Sequence, residues 1–148
     1  MSRNAARHPG ARLNPGPLPG LIGYRLRLAQ QWVFRDFAAS VPGLSPGRIG
    51  MLLLIEANPG VTQSRLAHAV ERDRSTMVGV LDQLEAKGWI ERRKGDDRRT
   101  NGLWLTRAGR NLLARAKRGI AVHERRVASR LSAAERAMLL ELLARIAA

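Results

Sequence analysis

The sequence has no cysteine, only 4% aromatic residues and only 12 acidic residues among 148. Without cysteine, the chain has no disulfide, no thiolate metal ligand and no thiol-based redox sensor. No apolar run approaches the roughly 18 residues that a membrane-spanning helix requires. The first residues also lack the apolar stretch of a secretory signal. We therefore expect a cytoplasmic protein without a membrane anchor.

What the chain has in excess is positive charge. Its 26 Lys and Arg residues outnumber the acidic ones and give a formal net charge of +14. A surplus of this size favours a polyanionic partner, either nucleic acid or an anionic membrane surface. Apolar residues make up 45% of the chain, which is enough for one domain with a core. Residues 1–20 are rich in proline, glycine and arginine, and they are expected to form a flexible basic tail. Such a tail either touches DNA phosphates or has no role.

Helical periodicity and capping residues predict five helical segments around one informative stretch. They are a helix from about Leu21 to Ala39, one from Pro46 to Ala57, a short one capped by Thr62, a long one capped by Thr106, and a last one opened by Ser132 and Glu135. The long helix is expected to carry an apolar stripe that ends at Leu131. The last helix is expected to bury Leu139, Leu142, Leu143 and Ile146.

The most informative stretch runs from Asp73 to Thr106. Apolar residues at helical spacing (Met77, Val80, Leu81 and Leu84) predict an amphipathic helix that stops at Gly88. Two short strands follow, one beginning at Trp89 and the other covering residues 103–105, with five basic residues between them. Together with the short helix before it, this pattern predicts a helix-turn-helix followed by a basic β-hairpin, or wing. The expected fold class is mainly α with a small β-wing.

Three strings make the resemblance specific: VTQSRLAHAV, DRSTMVGVLDQLEAKGWIERR and DDRRTNGLWLTRAGR. In this order and spacing, the chain resembles the MarR family of transcriptional regulators over roughly residues 20–148. The resemblance implies a single domain over 21–148. Within it, segments 21–44 and 107–148 would be dimerisation helices, and 45–106 would form the winged-helix DNA-binding lobe. A homodimer is expected in any case, because one recognition helix specifies too little sequence and two half-sites form a pseudo-palindromic operator.

The recognition helix is predicted to begin near Arg74, Ser75 and Thr76, at the end that normally meets base edges. Ser75 and Thr76 could instead only cap the helix. The chain departs from the family next, with Val78 and Gly79 where Thr and Arg are common. Val78 could touch a thymine methyl group, and Gly79 could permit closer approach of the backbone. The remaining contacts expected on the motif come from Gln63 and Ser64, on its first helix.

In the wing, Asp97-Arg98-Arg99 matches the family's Asp-x-Arg element. The resemblance implies that Arg99 enters the minor groove and that Asp97 holds its guanidinium. The other basic residues of the hairpin are assigned to phosphates: Arg92, Arg93, Lys94 and Arg98. The alternative is an ordinary solvated charged loop.

Many members of the family release DNA when a small ligand enters a cleft beside the DNA-binding lobe. The resemblance suggests an aromatic acid or a CoA thioester, and arginine beside tryptophan suits an anionic aromatic ligand. Trp32 could equally belong to the dimer core, with the arginines paired across the interface. The candidate lining residues are Arg25, Leu28, Trp32, Arg35, Met51 and Ile55.

No cofactor and no metal are expected, because His8, His68 and His123 are scattered along the sequence. The chain also lacks the spacing of a catalytic triad, a phosphate-binding loop or paired carboxylates, so an enzyme is not expected. Binding to a membrane surface is disfavoured, since packing requires the apolar stripe of the long basic helix. A ligand-released repressor is the leading hypothesis, and a low-specificity architectural DNA-binding protein is the alternative.

Replacing Arg99 with alanine is expected to weaken operator binding substantially without unfolding the protein, because the minor-groove contact is lost. Gel shift measures the affinity, and circular dichroism controls for folding. Undiminished affinity would remove Arg99 from the interface.

Overall fold

The computed structural model describes residues 13–70, 74–94 and 101–148, without the side chains of Arg74 and Ser75. A short 3-10 turn, Leu18–Gly20, precedes the first helix. The described elements are then α1 (Ile22–Ser40), α2 (Pro46–Ala57), β1 (Val61–Thr62), α3 (Gln63–Ala69), α4 (Arg74–Ala86), β2 (Ile90–Lys94), β3 (Asn101–Leu105), α5 (Arg107–Val127) and α6 (Ala133–Ile146). The predicted fold class, mainly α with a small β-wing, is confirmed.

The described residues form two compact units, one that ends at Val33 and one that begins at Phe34, and the boundary lies within α1. In the first unit, Arg25 Nε donates to the carbonyl oxygen of Pro19 at 2.8 Å. The guanidinium of Arg27 lies 5.2 Å from the ring centroid of Tyr24. Several apolar residues of this unit, among them Ile22 and Leu26, are exposed. The division of the chain into a tail, two dimerisation segments and a DNA-binding lobe stays a prediction.

The core of the second unit forms where α2, α3, α4 and α5 meet the sheet. Met77, Leu81 and Leu84 of α4 are fully buried, as their spacing predicts. They pack with Leu52 of α2 and Leu113 of α5 in one hydrophobic cluster. Truncating a side chain of this kind to alanine typically costs about 2–5 kcal/mol. Because these three residues hold one face of α4 in the core, the opposite face lies at the surface.

Several helices begin at residues whose side chains cap them. The side chain of Ser45 accepts from the backbone N–H of Arg48, and that of Thr106 accepts from the N–H of Gly109. Ser132 and Glu135 form the predicted capping box at the start of α6. After α4, Gly88 has a φ of +67°, which a residue with a side chain rarely adopts. This turn sends the chain directly into the wing.

The sheet has the order β1-β3-β2, with antiparallel pairing throughout. In the hairpin, Ile90 pairs with Leu105 and Arg92 pairs with Leu103. Its base is fixed to α5 through Gly109, because a Cβ at this position would lie 1.9 Å from the carbonyl oxygen of Trp89. Only glycine permits this approach. The wing strands, α4 and α5 are thus packed together at the base of the hairpin.

Two expectations from the sequence are wrong within a single chain. Leu139, Leu142, Leu143 and Ile146 of α6 are exposed, and α6 has no buried residue. Helix α5 ends at Val127, so Leu131 lies beyond it. The spacing correctly predicts the apolar stripe of α6, but no element within residues 13–70, 74–94 and 101–148 covers it.

A partly buried polar cluster connects the end of α1 to α5. His123 Nδ1 donates to Asp36 Oδ2 at 2.8 Å, and Arg126 Nη1 donates to Asp36 Oδ1 at 3.3 Å. His123 is only 4% exposed, and its ring meets the edge of Phe37 at 5.4 Å between centroids. The hydrogen bond from His123, followed by the charge of Arg126, lowers the pKa of Asp36 despite the opposing effect of burial. The sequence analysis treated His123 as an isolated residue and did not foresee this pair.

Replacing Asp36 with asparagine is expected to lower the thermal unfolding midpoint at pH 7. Because the pKa of Asp36 is lower in the folded state, its contribution is present above the pKa of the unfolded chain. That contribution is lost as the pH falls through the folded value, so the gap between variant and wild type should close below about pH 4. Melting curves at pH 7, 5 and 3 measure this. Glu56→Gln, which removes an exposed ion pair with Lys117, serves as the control. A gap that stays constant with pH would contradict the assignment.

Candidate nucleic-acid interface

The helix-turn-helix is formed by α3 and α4. Thr62 caps α3 by accepting from the backbone N–H of Arg65. This places Gln63, half-buried, and Ser64, exposed, in the first turn. His68 is exposed on the same helix. The structure confirms the two helices of the motif, while the DNA contacts assigned to Gln63 and Ser64 stay predictions.

Helix α4 begins at Arg74, so the predicted base-reading residues occupy its first turns. The side chains of Arg74 and Ser75 lie outside the described part of the chain. Thr76 and Val78 are exposed, the latter by 40%. Gly79 is also exposed, and a Cβ built on it would have no neighbour within 4 Å. On this face, Val78 presents methyl groups and Gly79 exposes its backbone, at positions where the family commonly has polar side chains.

Further along α4, two side chains make contacts that the sequence analysis missed. Arg48 of α2 donates through Nη2 to Gln83 Oε1 and so links the two helices. Asp82 lies beside Gln83 and faces β2. The only sequence signal was a polar residue on the outer face of an amphipathic helix. Such a signal does not identify the partner.

In the wing, the basic residues of β2 do not share one environment. The guanidinium of Arg93 lies over the ring of Trp104 at 5.6 Å and also pairs with Glu91. Lys94 is exposed at the end of the strand. The residues of the predicted minor-groove element, Asp97, Arg98 and Arg99, lie outside the described residues. Their roles stay predictions.

The sequence analysis assigns Arg92 to a phosphate. The structure instead places its guanidinium against α4, where Nη2 lies 2.7 Å from Asp82 Oδ1 and Nη1 contacts Glu85 Oε2. Burial disfavours its charge, but the hydrogen bonds and charges of both carboxylates outweigh burial and raise its pKa. Arg92 thus connects the wing to the recognition helix.

Helix α5 carries a dense set of exposed basic residues beside the sheet. Some of this charge is used within the protein, because Lys117 Nζ lies 2.5 Å from Glu56 Oε2. Arg110 likewise donates to the carbonyl oxygen of Leu105 at 2.8 Å. The count of 26 Lys and Arg residues therefore overstates the number of basic side chains that are free to contact a partner.

The six predicted ligand-lining residues divide into two groups. Arg25, Leu28, Trp32 and Arg35 are exposed on α1. Met51 and Ile55 are 2% and 1% exposed and belong to the hydrophobic core. The structure therefore does not place these last two on an open surface. Met51 and Ile55 pack within the core and are therefore not available to line a ligand site.

An open cleft of about 250 Å³ lies elsewhere in the second unit. It is formed by the end of α1, the following loop and the first half of α5. Most of its lining residues are apolar, and Ser40 and Arg115 are the polar ones. The lining residues are Ser40, Val41, Pro42, Leu44, Leu112, Arg115 and Ala116.

Comparison with known proteins now adds to this geometry. The MarR family profile matches residues 44–100. A protein of Thauera aromatica, named as a transcriptional regulatory protein for the hcr operon, is 41% identical over 140 residues. That similarity covers 92% of this chain and 84% of the relative. The chain belongs to the MarR family.

Solved structures of MarR-type regulators agree over nearly the whole chain. The repressor CouR bound to a 23-mer DNA duplex is 41% identical and superposes with a TM-score of 0.88, covering 93% of this chain and all of that one. CouR bound to p-coumaroyl-CoA gives a TM-score of 0.84 at 40% identity, over 92% of this chain and 98% of that one. PcaV of Streptomyces coelicolor with its natural ligand gives 0.81 at 26% identity, over 93% and 96%.

These similarities confirm the resemblance found in the sequence and identify a transcriptional regulator of the MarR type. The relatives named here are regulators rather than enzymes. Within residues 13–70, 74–94 and 101–148, no helix has the length and apolar character to cross a bilayer. In the same residues, no three His, Asp or Glu side chains come together as a metal site would require.

Replacing Gly79 with alanine is expected to stabilise this MarR-type protein by up to about 1 kcal/mol, because alanine favours a helix interior. Its added methyl group meets nothing in the free protein. If DNA approaches the backbone at this point, the same methyl group will weaken operator binding.

Gly50→Ala is the matched control, since Gly50 also lies within a helix and a Cβ there also has open space. Thermal melts and gel shifts on both variants measure the two effects. Equal operator affinity for the two variants would show that DNA does not come close to Gly79.

Proposed function

We propose that this protein is a dimeric, sequence-specific repressor that binds double-stranded DNA and leaves its operator when a small ligand binds. The observation that carries the proposal is the packing of α4, whose outer face is exposed, against the basic strand β2 within one compact unit. A recognition helix and a wing fixed together can enter neighbouring grooves of one duplex. The similarity to DNA-bound CouR supports the same mode of binding.

The roles of individual side chains follow from this mode. Thr76 and Val78 would face base edges in the major groove, together with Arg74 and Ser75 at the start of α4. Arg99 would enter the minor groove, supported by Asp97. Arg93, Lys94 and Arg98 would contact phosphates, which fix the register without reading sequence.

Dimerisation is supported by apolar surface that a single chain leaves uncovered. Met138, Leu139 and Ile146 on α6 are 63%, 40% and 57% exposed. On α1, Ile22 and Trp32 are exposed as well. Exposed apolar residues that recur along one helix, as on α6, mark an interaction site in many proteins. A symmetric dimer would cover it and present two recognition helices to two half-sites.

The ligand class is supported by the cleft beside α5 and by the relatives. At about 250 Å³, the cleft is slightly smaller than the roughly 300–1,000 Å³ of typical ligand pockets. It suits an aromatic acyl group rather than an entire coenzyme. Arg115 could pair with a carboxylate or a phosphate at the mouth. CouR was solved with p-coumaroyl-CoA, and the phosphates of a CoA thioester would suit a chain of net charge +14.

The decisive experiment measures binding of the purified protein to its own upstream intergenic DNA against a scrambled duplex, at two salt concentrations. Preference by a factor of about 10³ or more is expected for a specific regulator. Equal binding to both duplexes that collapses with salt would favour an architectural protein instead. Sedimentation at micromolar concentration is the accompanying control. A monomer there would contradict the dimer.

The same assay tests ligand release, using p-coumaroyl-CoA, p-coumarate and free CoA in parallel. Release by the thioester alone would assign a CoA thioester, and release by the free acid would assign an aromatic acid. An Arg115→Ala variant should need more ligand for release while binding operator as tightly as wild type. If none of the three probes releases the operator, this ligand class is wrong.

A further inference from the structure

Arg92 makes three contacts from the wing to the recognition helix. Its Nη2 lies 2.7 Å from Asp82 Oδ1, and its Nη1 contacts Glu85 Oε2. Its backbone N–H also donates to Glu85 Oε1 at 3.3 Å. The side chain is only 23% exposed, which makes it less accessible than either carboxylate. This guanidinium faces α4.

The arrangement depends on the shape of the guanidinium. Asp82 and Glu85 are three residues apart, so their side chains project from one side of α4. Arg92 lies between Ile90 and Lys94 on β2, in register with Leu103 of β3. A planar fork with several N–H donors can bind both carboxylates at once, whereas a lysine ammonium is a single point charge. The contact is therefore specific to arginine.

The carboxylates also have an electrostatic consequence. They are the two acidic residues of α4, the helix that we assign to the major groove. Unpaired, each would repel the phosphates of a bound duplex. The guanidinium of Arg92 offsets part of this charge while it holds the strand in place. A phosphate contact by the same group would require it to leave these partners.

We propose that Arg92 is a positioning residue that fixes the wing to the recognition helix, so that both reach DNA together. The inference rests on the proposed DNA-binding function and assigns Arg92 a role other than phosphate contact. Two contacts on one rigid body act at a high effective concentration. A loose wing would have to be ordered during binding, and this cost would reduce affinity.

The test removes the carboxylates rather than the arginine. The double variant Asp82→Asn/Glu85→Gln raises the net charge by two and leaves Arg92 free. If Arg92 positions the wing, operator affinity should fall by about tenfold or more despite the added charge. If Arg92 is a phosphate contact, the same variant should bind more tightly and show a steeper salt dependence. The opposite signs separate the two roles.

The matched control is Glu56→Gln/Glu124→Gln, which also adds two charges. It removes two exposed ion pairs, to Lys117 and Arg136, away from the wing. Its affinity for the operator measures the effect of two added charges alone, which is the background for the comparison. Affinity of the Asp82/Glu85 variant below this background supports the proposal, and affinity equal to it or above it overturns the proposal.

A second variant, Arg92→Lys, keeps the charge but cannot bridge both carboxylates. Operator affinity about tenfold lower supports positioning, since lysine would retain a phosphate contact. Affinity like that of wild type overturns it. Thermal melts on each variant check folding.

Amide hydrogen exchange in the absence of DNA tests the role of Arg92 independently of the proposed DNA binding. In the Asp82/Glu85 variant, the β2 amides should exchange faster than in wild type, while the core of α5 should be unchanged. Unchanged exchange in β2 would overturn the positioning role. Loss of operator preference in the wild-type protein would instead overturn the DNA-binding proposal and leave this result standing.

Discussion

The rest of the structure depends on the burial of one face of α4. Met77, Leu81 and Leu84 are fully buried among residues of α2 and α5. An amphipathic helix held in this way has no freedom to turn, so its opposite face must meet solvent or a partner. Thr76, Val78 and Gly79 are exposed for that reason. The hydrophobic core thus sets which side chains the helix can present to DNA.

The same constraint extends to the wing. Gly88 ends the turn after α4, and Gly109 allows α5 to approach the backbone of Trp89. The turn at Gly88 and the close approach at Gly109 fix the base of the hairpin next to α4 and α5. Arg92 adds a polar link further along β2. Close packing therefore determines the position of the base of the hairpin. The ion pairs of Arg92 hold the more exposed part of β2 against α4.

Charge in this protein has two separate uses. Arg92, Arg110 and Lys117 are engaged with carboxylates or carbonyl oxygens of the same chain. Other basic residues, such as Lys94, are exposed at the edge of the wing. A count of arginines near a hairpin cannot distinguish these uses. The acidic partners of Arg92 lie seven and ten positions earlier, on another element.

The sequence by itself determined the helices, their caps, the wing and the family, because these depend on local spacing and on residues that act within one turn. Ser45, Thr106 and the pair Ser132–Glu135 cap the helices that they predict. Only the tertiary structure decided which polar side chains meet. It paired His123 with Asp36, which are 87 positions apart, and placed Met51 in the core. Contacts between distant positions leave no periodic trace, since they arise only when packed helices bring those positions together.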